Sequence, residues 1–337
     1  MIARLARRLV WAVFVVWATV TIAFLVNYAL PSDPARMVAG PQARPQDLVR
    51  LRKDLGRDQP LRVQYARFLT RLVHIAPSDA NEKEKEHATC GHVLGGRFHV
   101  DLGKSYQQRR PVVVILAERL PRTLFLAVRA ALVQVMLGAG AGVLAAARKK
   151  TLLDHATITA SLLGISAPTF VIGLFFQWLF AFRLGLLPLD GWGETASQHV
   201  ASVILPSLTL GVFGAAYYAR LVRDEMIGQL NQDYIRTARA KGLSRGAVVV
   251  KHALRNALMP IVTILGVDVG ALVGGAIVTE TIFRWPGIGS LSVTAMLDRD
   301  GPVIMGCVII TSVAVVLSTI VVDFAYAVLD PRVRAEK

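Results

Sequence analysis

The sequence has 337 residues, of which 54% are hydrophobic and only 18% are charged, with a mean hydropathy of +0.49. Soluble domains contain about 25% charged residues, so this composition excludes an ordinary soluble globule. The 2 cysteines exclude a disulfide scaffold, and the abundance of Leu, Val, Ile and Ala excludes a disordered chain. A polytopic membrane protein remains, in which the net charge of +15 reports the orientation of the loops.

Long apolar runs predict an all-α protein with about six transmembrane helices. A helix needs about 20 apolar residues to cross a hydrocarbon core of about 30 Å, because lipid offers no partner to backbone polar groups. The predicted spans are 9–30, 123–147, 155–181, 203–219, 257–279 and 303–328. The first is longer than a signal-peptide core, so we expect it to remain as an anchor.

The lysines and arginines predict the orientation of the chain. They concentrate in 148–150 and 220–255, whereas 183–202 and 280–302 contain few of them. Cytoplasmic loops carry an excess of Lys and Arg, so the basic segments and both termini are expected in the cytoplasm. The long segment 31–122 is also basic, but long translocated loops do not follow this rule. We therefore expect an external subdomain there, with two short helices within 45–72.

The stretch before the fifth span has a composition suited to contact with a soluble partner. Residues 232–245 are rich in Ala and Arg and contain Gly242. Glycine ends helices because it adopts a left-handed backbone at little cost, so we expect two short helices that meet at Gly242. Small side chains allow close approach, and Arg239 and Lys241 supply charge. A basic loop that only sets the membrane orientation explains the composition equally well.

At these residues the sequence resembles the permease subunits of binding-protein-dependent ABC importers. The run Asp-Tyr-Ile-Arg-Thr-Ala-Arg-Ala-Lys-Gly-Leu at 233–243 is similar to that of the first membrane subunit of dipeptide, oligopeptide and nickel permeases. Motifs within 118–123, 163–168, 280–289 and 323–334 agree in the same order along the chain. The resemblance implies that the residues which couple the pore to ATPases are Tyr234, Thr237, Ala238, Arg239, Ala240, Lys241, Gly242 and Leu243.

The resemblance also implies partners and a place in the cell. The chain would be half of a pore in the bacterial inner membrane, and would pair with a second, homologous permease subunit. Two ATPase subunits, which bind ATP and Mg, and an external substrate-binding protein would complete the importer. The implied substrates are dipeptides or oligopeptides; nickel or another small solute is the alternative within the family, and an ion-coupled secondary transporter is the alternative outside it. The chain itself would hydrolyse nothing and would carry no cofactor.

On this interpretation the chain divides by topology into four parts. Residues 1–30 form the N-terminal tail and the first span, and 31–122 form the external, periplasmic-side subdomain. Residues 123–328 form a five-helix permease core, which includes the cytoplasmic coupling loop 220–256. Residues 329–337 form a cytoplasmic tail.

Asp268 departs from the family pattern, which has an uncharged polar residue there. An acid at mid-span is costly unless it faces water, a cation or a partner helix. We predict a translocation path lined by Asp268, Gly270 and Gly274. A structural hydrogen bond for Asp268 and a packing role for the glycines, which are spaced four apart with Gly266, are the alternatives.

The sequence contains no recognised catalytic or metal-binding motif. There is no His-Glu-x-x-His or Gly-x-Ser-x-Gly arrangement, so we predict no catalytic residues. Histidines and Cys90 gather in the external segment, but their spacing along the chain is not that of a structural zinc site. We therefore predict no metal site.

Overall fold

The computed structural model describes residues 2–29, 35, 39–40, 42–54, 58–72, 74–75, 90–93 and 98–329. Within them the chain is mainly helical, and 5 helices are long and apolar enough to cross a membrane. A pair of helices that is bent by 100° raises the number to 6 if it forms one span. The predicted all-α polytopic fold is confirmed.

The helices follow one another along the chain as numbered here. The α-helices are α1 Ile2–Ala29, α2 Pro45–Asp54, α3 Leu61–Leu72, α4 Val112–Ala147, α5 Leu152–Ser166, α6 Thr169–Phe176, α7 Ala196–Leu230, α8 Asp233–Ala240, α9 Arg245–Ala247, α10 Arg255–Gly275, α11 Ile277–Ile282, α12 Ile288–Leu297 and α13 Gly301–Leu329. Two π-helical segments, Gln177–Arg183 and Val248–Leu254, continue α6 and α9 respectively.

The chain forms two compact units. The first comprises Met1–Pro121 and Leu291–Val313, and the second comprises Arg122–Ser290 and Ala314–Lys337. The boundary between the units at 121 and 122 falls inside α4, which begins at Val112. The four-part division by membrane topology remains a prediction.

In the first unit, α1 packs against α3. Phe24 stacks on Phe68 with ring centroids 5.4 Å apart, and its ring lies 5.3 Å from that of Tyr65. The hydroxyl groups of Thr21 and Tyr65 form a hydrogen bond of 2.6 Å. The two short helices expected within 45–72 are confirmed as α2 and α3.

A small antiparallel sheet follows α3 in the same unit. Its strands are β1 His74–Ile75, β2 Cys90–Val93 and β3 Phe98–Asp101, in the order β1-β3-β2. Sequence reasoning missed these strands because they are short and lack a long alternating pattern. The whole segment between β1 and β2, residues 76–89, lies outside the described residues.

The third predicted span, 155–181, is broken rather than continuous. Ala167 has an extended backbone with φ −80° and ψ 125°, and Pro168 follows it before α6 begins at Thr169. Proline lacks an amide donor and disfavours a helical conformation in the residue before it. The 100° bend between α5 and α6 is therefore explained by Pro168.

In the second unit, α4 and α7 pack closely through glycines. A Cβ atom added to Gly138 would lie 2.5 Å from Cβ of Tyr218, and one added to Gly142 would lie 2.6 Å from the carbonyl oxygen of Ala219. Gly140, on the same helix, has no neighbour within 4 Å of such an atom. The small residues at 138 and 142 therefore set the distance between the two backbones.

Two apolar clusters fill the second unit. The first, here called the Met226 cluster, includes Tyr218, Val222, Met226, Ile235, Val248, Ala253 and Ile261. The second, here called the Trp285 cluster, includes Leu126, Ala130, Val203, Leu210, Ala276 and Trp285. Helices α4, α7 and α10 contribute to both clusters, so they are the framework on which the candidate sites rest.

Candidate functional site

The segment 233–243 is a short helix with two distinct faces. Ile235 and Ala238 are buried, and both belong to the Met226 cluster. The remaining residues of the segment, 233–234, 236–237 and 239–243, are exposed. Of the predicted coupling residues, Ala238 therefore anchors the helix to the unit, whereas the other seven lie on its accessible surface.

The helix ends in a turn that requires glycine. Gly242 has φ +76°, its amide donates to the carbonyl of Arg239 at 3.0 Å, and the amide of Leu243 donates to Ala238 at 3.4 Å. These two bonds form a Schellman motif, in which the left-handed residue is usually glycine. The predicted end of the helix at Gly242 is confirmed.

Hydrogen bonds fix this segment to the helices on either side. The hydroxyl of Tyr234 donates to Oε1 of Gln229 at 2.7 Å and accepts from Nδ2 of Asn256 at 2.9 Å. The guanidinium of Arg245 donates to the carbonyl oxygen of Ala147. Contacts with α7, α10 and the end of α4 therefore hold the exposed face in one orientation relative to the spans.

A buried ion pair lies near the end of α4, where the chain turns into α5. Nε and Nη2 of Arg223 donate to the two carboxylate oxygens of Asp154 at 2.5 and 3.2 Å, and the amide of Lys150 donates to Oδ2 at 2.8 Å. Lys150 has φ +66°, so the carboxylate also holds a tight turn. Sequence analysis missed this pair because it placed Asp154 just before the predicted span 155–181 and Arg223 in the predicted loop 220–256, whereas both residues lie in helices.

A second polar pair lies within the spans. The hydroxyl of Tyr218 on α7 donates to Oδ2 of Asp268 on α10 at 2.8 Å. The structural hydrogen bond considered for Asp268 is thus present, and its partner is a neutral group. The sequence identified the acid but not the tyrosine 50 residues before it.

The glycines beside Asp268 pack against α13. A Cβ atom added to Gly266 would overlap the side chain of Val322, and one added to Gly270 would lie 2.9 Å from Cβ of Ser318. Gly270 is buried and Gly274 is half-buried. Packing therefore accounts for Gly266 and Gly270. Of the three residues in the predicted translocation path, only Asp268 has a polar side chain.

Glu280 forms a buried polar centre after α10. Its side chain is 0% exposed, and it accepts from Oγ1 of Thr123 at 3.1 Å and from the amide of Ser290 at 2.8 Å. Thr123 in turn accepts from the amide of Ile288 at 2.8 Å. These bonds order the loop between α11 and α12, so Glu280 and Thr123 are structural residues.

A family model described as "Binding-protein-dependent transport system inner membrane component" matches residues 138–335. The N-terminal model of the same kind of component matches residues 1–127. The chain belongs to this family. As a permease subunit of a binding-protein-dependent importer, it works with an ATPase and a substrate-binding protein, and it crosses the inner membrane several times. This identification confirms the predicted transport function and decides against the stand-alone secondary transporter.

Curated relatives carry a consistent description. The chain is 40% identical over 314 residues to the glutathione transport system permease protein GsiC of Salmonella paratyphi A, with 92% of each chain covered. It is 37% identical over 331 residues to the protein of the same name in Escherichia coli K12, with 97% of each chain covered. The resemblance to peptide-type permeases is confirmed.

A solved structure supports the fold. The present chain resembles a chain of the MetNI methionine ABC transporter in an inward-facing conformation, with a TM-score of 0.54. The likeness covers 65% of the present chain and 98% of the MetNI chain. The two sequences are 18% identical, so it concerns the fold alone. Permease subunits of this kind hydrolyse nothing themselves.

Proposed function

We propose that this chain is one half of the pore of an ATP-driven importer of short peptides. A second, homologous permease subunit forms the other half of the pore. Two ATPase subunits bind ATP and Mg and hydrolyse the ATP, and an external binding protein delivers the substrate. The substrate class rests on the relatives named as glutathione permeases, because glutathione is itself a tripeptide. No feature of the described residues favours nickel.

The observation that carries the proposal is the exposed helix at 233–243. It presents Thr237, Arg239 and Lys241 outward while Ile235 and Ala238 fix it to the Met226 cluster. A short helix that is anchored from beneath and exposed above fits a groove in a soluble partner. We propose that the ATPase provides this groove in the cytoplasm. With four spans before this helix and two after it, both chain termini would then also be cytoplasmic.

The anchoring also indicates how closure of the ATPases would reach the pore. Buried contacts join α8 to α7 and α10 in one apolar cluster, so a push on α8 moves these helices together. Rigid-body movement of this kind is one of the established ways in which proteins transmit a conformational change. The predicted coupling residues therefore act as a contact surface, with Ala238 as its internal support.

Purification of the chain in mild detergent with its native associates tests this proposal. We expect mass spectrometry to identify a second permease, ATPases and a binding protein, and we expect the reconstituted assembly to import short peptides in the presence of ATP. Nickel uptake by the same vesicles serves as the control for the alternative substrate. Recovery of the chain alone, or uptake of nickel without peptide, would contradict the proposed function.

A further inference from the structure

Asp268 is an intramembrane acid without a compensating charge in the part of the chain that the structure describes. It is the only acidic residue of α10, and its side chain is half-buried near the middle of the helix. None of the ion pairs seen among the described residues includes it, and its hydrogen bond comes from the neutral hydroxyl of Tyr218. An acid at this depth is costly, so its presence without a charged partner points to a cationic group that occupies the site for part of the transport cycle.

The position of Asp268 lies between the two apolar clusters of the second unit. Ile261, Ile264 and Leu265 of α10 pack in the Met226 cluster, whereas Leu272 and Ala276 pack in the Trp285 cluster. Asp268 therefore interrupts an otherwise apolar helix face, and Tyr218 holds its carboxylate from α7. The hydroxyl fixes one carboxylate oxygen, which orients the other for a ligand.

Gln134 adds an unsatisfied polar group on α4, the helix that packs against α7. It lies on α4 against Gly214, one helical turn before Tyr218 on α7, and its side chain is buried. Its Nε2 atom has no hydrogen-bond partner among the residues that the structure describes. A buried amide donor without a partner is costly, and a hydrogen-bond acceptor is the group that would satisfy it.

We propose that Asp268, held by Tyr218, binds the α-ammonium group of the substrate on its way through the membrane. The inference rests on the proposed function and assigns a chemical class to one position in the pore. An ammonium donates up to three hydrogen bonds and neutralises the carboxylate of Asp268. It has no acceptor, so the Nε2 donor of Gln134 would instead need a carbonyl oxygen of the peptide. Substrates whose amino group is acylated lack this interaction.

The test compares two forms of one peptide in proteoliposomes that contain the full importer. One form has a free amino group, and in the other the amino group is acetylated. Uptake is measured at saturating binding protein for the wild type, Asp268→Asn, Asp268→Glu and Tyr218→Phe. Glu225→Gln, which removes an acid from the same unit, is the control for charge, and Thr319→Val, whose hydroxyl bonds within its own helix, is the control for Tyr218→Phe.

We expect Asp268→Asn to lower the uptake of the free peptide by about tenfold or more and to leave that of the acetylated peptide unchanged, because a charge-assisted hydrogen bond is lost. Tyr218→Phe should lower free-peptide uptake by about threefold, because the hydroxyl that orients the carboxylate is lost. Asp268→Glu should retain the preference for the free peptide. Binding-protein affinity for each peptide, measured separately, should be the same throughout.

Two results would overturn the inference while the proposed function stands. In one, the wild type imports both peptides and Asp268→Asn slows them equally. In the other, Asp268→Asn also loses the second permease during purification. That loss would indicate that a cationic side chain of the partner subunit, and not the substrate, compensates the charge of Asp268. Absence of ATP-dependent uptake of either peptide by the wild type would instead refute the proposed function together with the inference.

Discussion

Asp154 shows how a single residue can fix a turn and two helices at once. Its side chain is 2% exposed, and it accepts from both Arg223 and the amide of Lys150. Burial of a carboxylate is tolerated only when charge and hydrogen bonds compensate it. Arg223 provides the charge, and its own second partner, Asp224, is 56% exposed.

We expect Asp154→Asn to destabilise the chain by about 2–4 kcal/mol, because it leaves the half-buried Arg223 with only its exposed partner Asp224. Thermal unfolding in detergent, followed by circular dichroism, measures the effect. Asp224→Asn is the matched control, and its expected effect is below about 1 kcal/mol because the pair is exposed to solvent. Equal effects of the two variants would contradict the assigned role of Asp154.

At the scale of elements, small residues determine how closely the helices pack. Gly138 and Gly142 face α7, and Gly266 and Gly270 face α13, so both contacts depend on the absence of a side chain. In membranes such close packing replaces the hydrophobic effect as a source of helix association. Gly140 lies on an open face of α4 and makes no such contact within the described structure.

Alanine substitutions should therefore have opposite effects at neighbouring positions of α4. Gly138→Ala introduces a Cβ atom 2.7 Å from the carbonyl oxygen of Ala215 and should destabilise the unit by about 1–3 kcal/mol. The Cβ atom added by Gly140→Ala has no neighbour within 4 Å. This substitution should be neutral or stabilising by up to about 1 kcal/mol, since alanine favours a helix more than glycine. Unfolding midpoints in detergent check this, and a loss of stability at both positions would argue against the packing contact.

At the scale of the whole molecule, the transport function depends on a contact that this chain makes with other subunits. The proposed contact surface is exposed, and Gly242 has no neighbour within 4 Å of an added Cβ atom. The positive φ of Gly242 nevertheless makes a side chain unfavourable there. A substitution at Gly242 should consequently disturb the end of α8 without disturbing the spans.

We expect Gly242→Val to abolish substrate-stimulated ATP hydrolysis in the assembled importer while membrane insertion remains normal. A β-branched residue in the left-handed region costs about 1–2 kcal/mol or more, which unwinds the Schellman turn. Gly246→Val is the matched control, because Gly246 is also exposed and open but belongs to a helix. Retention of full stimulation in Gly242→Val would refute the coupling role of this segment.

The all-α membrane fold, the approximate positions of the spans and the helix that ends before Gly242 could be predicted from the amino-acid sequence. These features follow from local physics, namely runs of apolar residues and the left-handed preference of glycine. The resemblance at 233–243 supplied the function, and the comparisons confirmed it at the level of the importer.

Which residues contact one another could not be predicted from the sequence. The pairs Asp154 with Arg223 and Tyr218 with Asp268 join residues that are 69 and 50 positions apart. Ala238, assigned from the sequence to the contact surface, is buried because the helix period turns it toward the Met226 cluster. Hydrogen bonds and close packing depend on the arrangement of helices in three dimensions, and a one-dimensional pattern of residues does not contain that arrangement.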